Sequence, residues 1–275
     1  MLCSDTYKVL FWKVMDFPRF ILPDHVVKFA NPEKFYIEKL LNKIEMASES
    51  MLALDAGAGP QDKKKFVVDK KYTYESLDFE DIFDQGSLFK QTYISSVDSM
   101  PMESETYDII LSIQVLEHLQ NSDKALAEMS RVFKYGGKLF LSTNFLYPRH
   151  GSPYDYFRFT YEGLNSLCNN HGLKVISIES HGGFPAMCAQ FFHELPSYFR
   201  NWILFGTTYP SRLQHTKKSR IPLLFIFILP IFLLNLITQL LAIVFASIDF
   251  FDHIKRFTLG YSLVIEKTKE TMPQS

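Results

Sequence analysis

Leu54-Asp55-Ala56-Gly57-Ala58-Gly59 places a carboxylate and two glycines, one residue apart, directly after the apolar run Met51-Leu52-Ala53. Glycine reaches positive φ and has no Cβ, so such a turn can bring backbone amides against a polar ligand over the carboxyl end of a first parallel strand. The chemistry this suits is the holding of a nucleotide-type cofactor. A dinucleotide fingerprint needs a third glycine three residues after the second, and Asp62 stands there, which weakens a nicotinamide or flavin reading. A second acid, Asp78, follows Gly59 by 19 residues, close to the ~20-residue offset at which a carboxylate reaches ribose hydroxyls. Phe79 beside it has the flat face that packs on a base. Two further groups, Glu117-His118 and His150 with Asp155 and Arg158, have side chains that hold or move protons. Each has a bland alternative: an unliganded turn for the glycines, a solvated loop acid for Asp78, helix packing for His118, and a structural turn for Asp155 and Arg158.

The elements that must position these residues are legible as an alternation. Asn31-Pro32-Glu33 reads as N-cap, first-turn proline and first-turn acid, and Phe35, Ile37, Leu40, Leu41 and Ile44 follow at helical spacing. Short apolar strands are expected at 72–77, 91–94, 108–112, 138–143 and 173–178, and another near 261–266. Between them the clearest helix runs from about Asp123 to Phe133, with Gly136-Gly137 expected to end it. Strands alternating with helices predict an α/β fold whose mostly parallel sheet is covered on both faces.

Composition narrows the class. A chain of 275 residues, 47% hydrophobic and 21% charged, can bury a full core. Its 29 Lys and Arg against 30 Asp and Glu provide no field for a polynucleotide, so no nucleic-acid partner is expected. Cys3, Cys168 and Cys188 are odd in number and far apart, so neither a disulfide framework nor a zinc site is expected from them. Asp5, Lys8, Lys13 and Asp16 interrupt the N-terminal apolar stretch, unlike the core of a signal peptide.

Between Arg220 and Asp249 there is no charge, and most residues are Leu, Ile or Phe. Such a stretch demands a membrane hypothesis. If residues 261–266 return to the sheet, a single crossing strands them on the far side, and two arms of ~14 residues rise only ~21 Å each, short of the ~30 Å hydrocarbon core. A shallow hairpin bent near Pro230 meets both constraints, with Lys217, Lys218 and Arg220 before it and Lys255 and Arg256 after it on a cytoplasmic side. A buried helix pair or an oligomer interface is the alternative.

Taken together, residues 34–267 resemble the class I S-adenosylmethionine (SAM) dependent methyltransferases, in particular the type 11 group. The resemblance rests on Leu54–Gly59, on Tyr74–Asp78, on Met100-Pro101 with Glu105-Thr106-Tyr107-Asp108, on Val115-Leu116-Glu117-His118, on Arg131–Gly137 and on His150–Thr160. It implies a Rossmann-like seven-stranded sheet with an antiparallel last strand, and SAM as cofactor. Asp55, Gly57, Gly59, Asp78, Phe79, Ser96, Asp98 and Gln114 are the cofactor-binding set so implied; no metal is expected. Gln61 replaces a usual small residue, and Ser96 stands where the family has an acid. His150 or Asp155 is the expected base, Arg158 the orienter, and His118 a further catalytic candidate. The expected organisation is an N-terminal cap over 1–33, the methyltransferase domain over 34–184 and 254–268, an apolar helical insertion over 185–253, and a tail over 269–275. The resulting expectation is O-methylation of a small-molecule or lipid-linked acceptor, a lipid-linked sugar or polyprenyl-type compound, at the cytoplasmic face of a membrane contacted through 221–248. A soluble cytoplasmic enzyme, or a catalytically silent membrane scaffold of the same fold, is the alternative. Oligomeric state is not legible.

Overall fold

The computed structural model describes residues 32–48, 50–79, 90–205 and 221–268. The expected N-terminal cap up to residue 31, the tail from 269 and the basic residues Lys217, Lys218 and Arg220 lie outside them. Contacts divide the chain into two units. Among the described residues, one holds Tyr36–His181 and the last strand from Leu259, and so takes in the first helix from its second turn onward, and the other holds Gly182–Thr258 with the first residues of that helix up to Phe35.

In the first unit the elements run α1 (Pro32–Leu41), β1 (Leu52–Ala56), α2 (Lys64–Val68), β2 (Thr73–Asp78), β3 (Tyr93–Ile94), β4 (Tyr107–Ile113), a 3-10 turn (Leu116–His118), α3 (Ser122–Val132), β5 (Phe133–Asn144), α4 (Tyr161–Asn170), β6 (Leu173–Ser180) and, after the second unit, β7 (Gly260–Lys267). The strands form one sheet in the order β3-β2-β1-β4-β5-β7-β6. The pairs from β3 to β5 are parallel, and β7 is antiparallel to both β5 and β6. This is the Rossmann-like arrangement with an antiparallel last strand that the sequence predicts.

Both faces of the sheet are dry. Leu54, Ile110, Leu139, Leu141, Leu263 and Ile265 pack on one side, and their strand neighbours Ala53, Ile109, Leu111, Phe140 and Val264 on the other. Adjacent strand residues point to opposite faces, so burial on both explains why these strands read as continuous apolar runs. Leu40, Leu41 and Ile44 belong to the second cluster, which places the buried face of α1 against the sheet. Strand order reverses between β1 and β4, and the crevice beyond that point is where such sheets receive ligands.

Gly136 and Gly137 do not end α3. Its Asn121 N-cap accepts from Lys124 N, and the helix closes at Val132 when Phe133 turns extended and enters β5. The glycines instead occupy the irregularity in β4–β5 pairing, where a Cβ on Gly137 would lie 2.9 Å from the Asp108 carbonyl oxygen.

The second unit contains α5 (Phe184–Phe205), α6 (Ile221–Ile248) and a 3-10 turn (Asp249–Phe251). The segment 221–248 is one helix of 28 residues passing through Pro230, not a hairpin bent there. At ~1.5 Å per residue it is ~42 Å long. Reversal happens one level higher, between two helices. Ala189 and Ala242 are fully buried with Phe192 and Phe245 around them. Asp249 accepts from Gly183 N at 2.8 Å and Ala186 N at 3.0 Å, and Asp252 accepts from Phe184 N at 2.8 Å. These carboxylates satisfy orphan amides at the start of α5 and lock it antiparallel to α6. Leu229, Leu233, Ile237, Leu240 and Val244 remain exposed along α6. Among the described residues one stretch, Leu229–Phe251, is long and apolar enough to cross a membrane, by length and composition alone.

Candidate functional site

The carboxyl ends of β1 and β2 build one half of the site. Gly57 N and Ala58 N donate to Leu77 O at 2.8 and 3.1 Å, which ties the glycine turn to the end of β2. Gly59 N donates to Asp78 Oδ2 at 2.6 Å, and Phe79 N to Asp78 Oδ1 at 2.9 Å. Gly57 sits at φ +81, with Val115 filling the space a Cβ would take. Gly59, at φ +52, has open space in that direction.

Asp55 is fully buried. Its Oδ2 accepts from the Tyr74 hydroxyl at 2.9 Å, while Oδ1 has no hydrogen-bond partner among the described residues. Burial pushes the carboxyl up to about 6, against the pull of Lys63 and the Tyr74 hydroxyl. An ionised oxygen held without a partner is costly, so a donor brought by a bound ligand would stabilise this carboxylate.

Phe79 is half exposed and meets the Tyr154 ring edge-on at 6.0 Å. Ser96 and Asp98 are half-buried in the turn after β3, where the Ser96 carbonyl accepts from Ser99 N at 3.0 Å. Gln114, at φ +58 after β4, donates through Nε2 to Ser142 Oγ at 2.8 Å. It therefore braces β4 to β5 beside the turn. Gln61, the departure noted in sequence, bonds Lys90 O and Gln91 Oε1, and Gln91 Nε2 returns to Gly59 O at 2.9 Å. Sequence reasoning missed Tyr74 and Gln91, since neither carries a spacing signal; only pairing of β2 with β1 brings Tyr74 beside Asp55.

The ends of β4 and β5 build the other half. Glu117, fully buried in the 3-10 turn after β4, accepts from Thr143 Oγ1 and Asn144 Nδ2, both at 2.9 Å. Its carboxyl is pushed up to about 7 by burial, although its hydrogen bonds and Arg158 pull the other way. The loop after β5 carries His150 back over it, with Nε2 3.9 Å from Glu117 Oε1. The His118 and His150 rings meet edge to face at 4.7 Å. Gly151 lies directly over His118, so close that a Cβ there would come 2.7 Å from the ring.

Asp155 and Arg158 hold that loop. Arg158 grips Asp155 through both terminal nitrogens at 2.6 and 3.0 Å and reaches the carbonyls of Tyr147, Pro148 and Phe157. Asp155 also accepts from His150 N at 2.9 Å. Although burial opposes it, the Arg158 pair and this amide hold the Asp155 carboxyl below its ordinary range. A carboxylate so occupied is a weak proton acceptor, and these two residues position His150.

Residues 54–141 match a family model described as a methyltransferase domain. No curated protein matches the chain. Among solved structures it is similar to the [4+2]-cyclase SpnF, at 16% identity over 85% of this chain and 80% of that one, with a TM-score of 0.52. A chain of the complex between the Haloferax volcanii Trm112 methyltransferase activator and a methyltransferase is similar at 15% identity, covering 90% and 97%, TM-score 0.51. A geranyl diphosphate methyltransferase in complex with GPP and sinefungin is similar at 10% identity, covering 85% and 77%, TM-score 0.50.

The sheet order, the glycine turn and the strand-end acids define a class I SAM-dependent methyltransferase fold. Residues 54–141, about a third of the chain, match the methyltransferase-domain model, and the cofactor such a domain takes is SAM. The residues present fit that cofactor. Asp55 Oδ1 is a buried acceptor without a partner, Asp78 offers a carboxylate to hydroxyls, and Gly59 leaves open space beside its backbone.

Asp55 carries a pH prediction. Its folded value, about 6, is above the unfolded 3.8, so the folded chain binds the extra proton between them. Stability from this group is therefore present at acid pH and falls as pH rises from about 4 through about 6, by roughly 3 kcal/mol at most. Binding of a ligand with a cationic amine favours the ionised form and has the opposite slope. Calorimetry at pH 5 and pH 7.5 should show SAM affinity rising about tenfold per unit below pH 6, and Asp55→Asn should abolish that slope while melting no lower than wild type at pH 7.5. An unchanged slope in Asp55→Asn would exclude this residue as its source.

Proposed function

We propose that this methyltransferase transfers the methyl group of SAM to a hydroxyl oxygen of an acceptor held at the cytoplasmic face of a membrane, a lipid-linked sugar or polyprenyl-type compound. The observation that carries the reading is α6. Its apolar side chains stay exposed along the helix, and a bilayer surface is the environment that covers such a face without cost. Asp249 and Asp252 gather at one end of the helix pair, and Lys255 and Arg256 follow them, as suits an end kept in water beside anionic headgroups.

Oxygen is the preferred acceptor atom on chemical grounds. SAM supplies an electrophilic methyl with a neutral thioether as leaving group, so the protein's task is to align the nucleophile and deal with a hydroxyl proton. His118, His150 and Glu117 form the polar rim at the ends of β4 and β5 suited to that task. Asp155 and Arg158 serve by holding the loop that carries His150.

The test is transfer itself. The chain is incubated with methyl-labelled SAM and membranes, and the label is followed into organic and aqueous extracts. Alkali-stable label in the lipid extract is the expected result, whereas label confined to water-soluble products would remove the membrane acceptor. The alternative, a silent scaffold of the same fold, predicts no transfer in either fraction and no binding of SAM or S-adenosylhomocysteine by calorimetry.

A further inference from the structure

Glu117, His118 and His150 each offer a ligand atom, and these atoms lie within 4.8 Å of one another. Two come from the 3-10 turn after β4 and one from the loop after β5. Both imidazoles are oriented the same way. His118 Nδ1 contacts the Tyr154 carbonyl oxygen, and His150 Nδ1 lies 3.2 Å from that of Pro148. A carbonyl only accepts, so each Nδ1 bears the hydrogen and each Nε2 keeps its lone pair, that of His150 lying 3.4 Å from Asn144 Nδ2, a long contact that a metal ion would replace. Metal-ligating histidines are fixed in this manner, with the second ring nitrogen donating to an outer carbonyl or carboxylate. Glu117 is oriented as well, by Thr143 Oγ1 and Asn144 Nδ2. Arg158, the nearby cation, is already neutralised by its two bonds to Asp155.

We infer that Glu117, His118 Nε2 and His150 Nε2 form a site for a divalent zinc ion, with the fourth position open to an acceptor oxygen. Two neutral imidazoles and one carboxylate are the donor set of open, three-ligand zinc sites, whereas magnesium takes oxygen donors. Tetrahedral zinc at ~2.0–2.1 Å from its ligands separates them by about 3.4 Å. The present 3.9 Å between His150 Nε2 and Glu117 Oε1 needs a contraction of about half an ångström to reach that spacing, and the pairs with His118, within 4.8 Å, need at most about 1.4 Å. Burial of Glu117 against two imidazoles is a charge arrangement that a dication stabilises. The cysteines gave no hint of such a site, because its ligands come from two separate segments and contain no sulfur.

The role of the ion rests on the methyltransferase reading, although its binding does not. A hydroxyl of the acceptor bound at the open position loses its proton to solvent more readily. The methyl carbon then bonds to that oxygen as its bond to sulfur breaks, and sulfur keeps the electron pair.

The test uses the full chain, stripped with a chelator and titrated by calorimetry with Zn2+, Co2+ and Mg2+. One equivalent of Zn2+ should bind at micromolar concentration or tighter, Mg2+ should not bind at millimolar concentration, and Co2+ should give the intense visible bands of a four-coordinate site. His118→Ala and His150→Ala should each weaken Zn2+ roughly hundredfold and remove the Co2+ bands, with SAM affinity changed less than threefold. His150 sits on a partly exposed loop, so its variant keeps the test open if a Glu117→Gln chain fails to fold. Absence of stoichiometric Zn2+, preference for Mg2+, or unchanged Zn2+ affinity in both histidine variants overturns the site. Zinc bound by a chain that neither binds SAM nor transfers methyl would leave the site standing and reject the methyltransferase role.

Discussion

Gly57→Ala should lower the stability of the domain by about 3 kcal/mol, whereas Gly59→Ala, two residues on, should cost only about 1. Both glycines sit at positive φ, so each substitution carries the left-handed backbone penalty of about 1–2 kcal/mol. They differ in what a new methyl would meet. At Gly57 it would lie 2.5 and 2.9 Å from the two Val115 methyls, and Val115 is buried in the core cluster. Overpacking of that kind adds about 1–3 kcal/mol. At Gly59 nothing lies within 4 Å. Denaturant midpoints of the two variants check the difference, and Val115→Ala combined with Gly57→Ala should recover the steric part alone. Equal midpoints for the two glycine variants would show that Val115 does not limit this turn.

Arg158→Ala should cost about 3 kcal/mol and free the loop 147–158. The guanidinium is the partner of a carboxylate whose side chain is 5% exposed, and removing it strands that charge. It also deprives the Tyr147, Pro148 and Phe157 carbonyls of a donor. Arg158→Lys should not rescue, because a single ammonium cannot reproduce the two-nitrogen grip. Hydrogen exchange gives a local readout: the Tyr156 and Phe157 amides donate to Glu117 O and should lose protection first. SAM affinity should change less than threefold, since the proposed cofactor residues Asp55, Gly59 and Asp78 stand at the ends of β1 and β2 rather than on this loop. Wild-type stability and protection in Arg158→Ala would mean that Arg158 has no part in holding the loop.

The helix-forming and strand-forming runs of the first unit were legible in sequence because their drivers are local. Pro32 opens α1, Asn121 caps α3, and doubly buried strands must be apolar along their length. The glycine turn and the acid 19 residues after it were legible for the same reason, since a short turn and one crossover fix their separation. Where the sequence misled, the cause was competition from tertiary contacts. Gly136 and Gly137 carry a helix-stop signal, yet pairing of Phe133 with Tyr107 draws the chain into β5 before they are reached. Pro230 carries a bend signal, yet the helix continues through it and α5 provides the return.

By itself, then, the chain's sequence determined the layered α/β fold, the SAM-type turn and the long uncharged apolar stretch, all set by patterns within a few dozen residues; that the stretch is one straight-through helix was not among them. Only the tertiary structure decided which side chains meet. The Tyr74 hydroxyl on Asp55, Arg158 on Asp155 as a brace, and two imidazoles over a buried Glu117 depend on which strands lie side by side. Strand order is settled by packing of the whole sheet, and no local spacing encodes it.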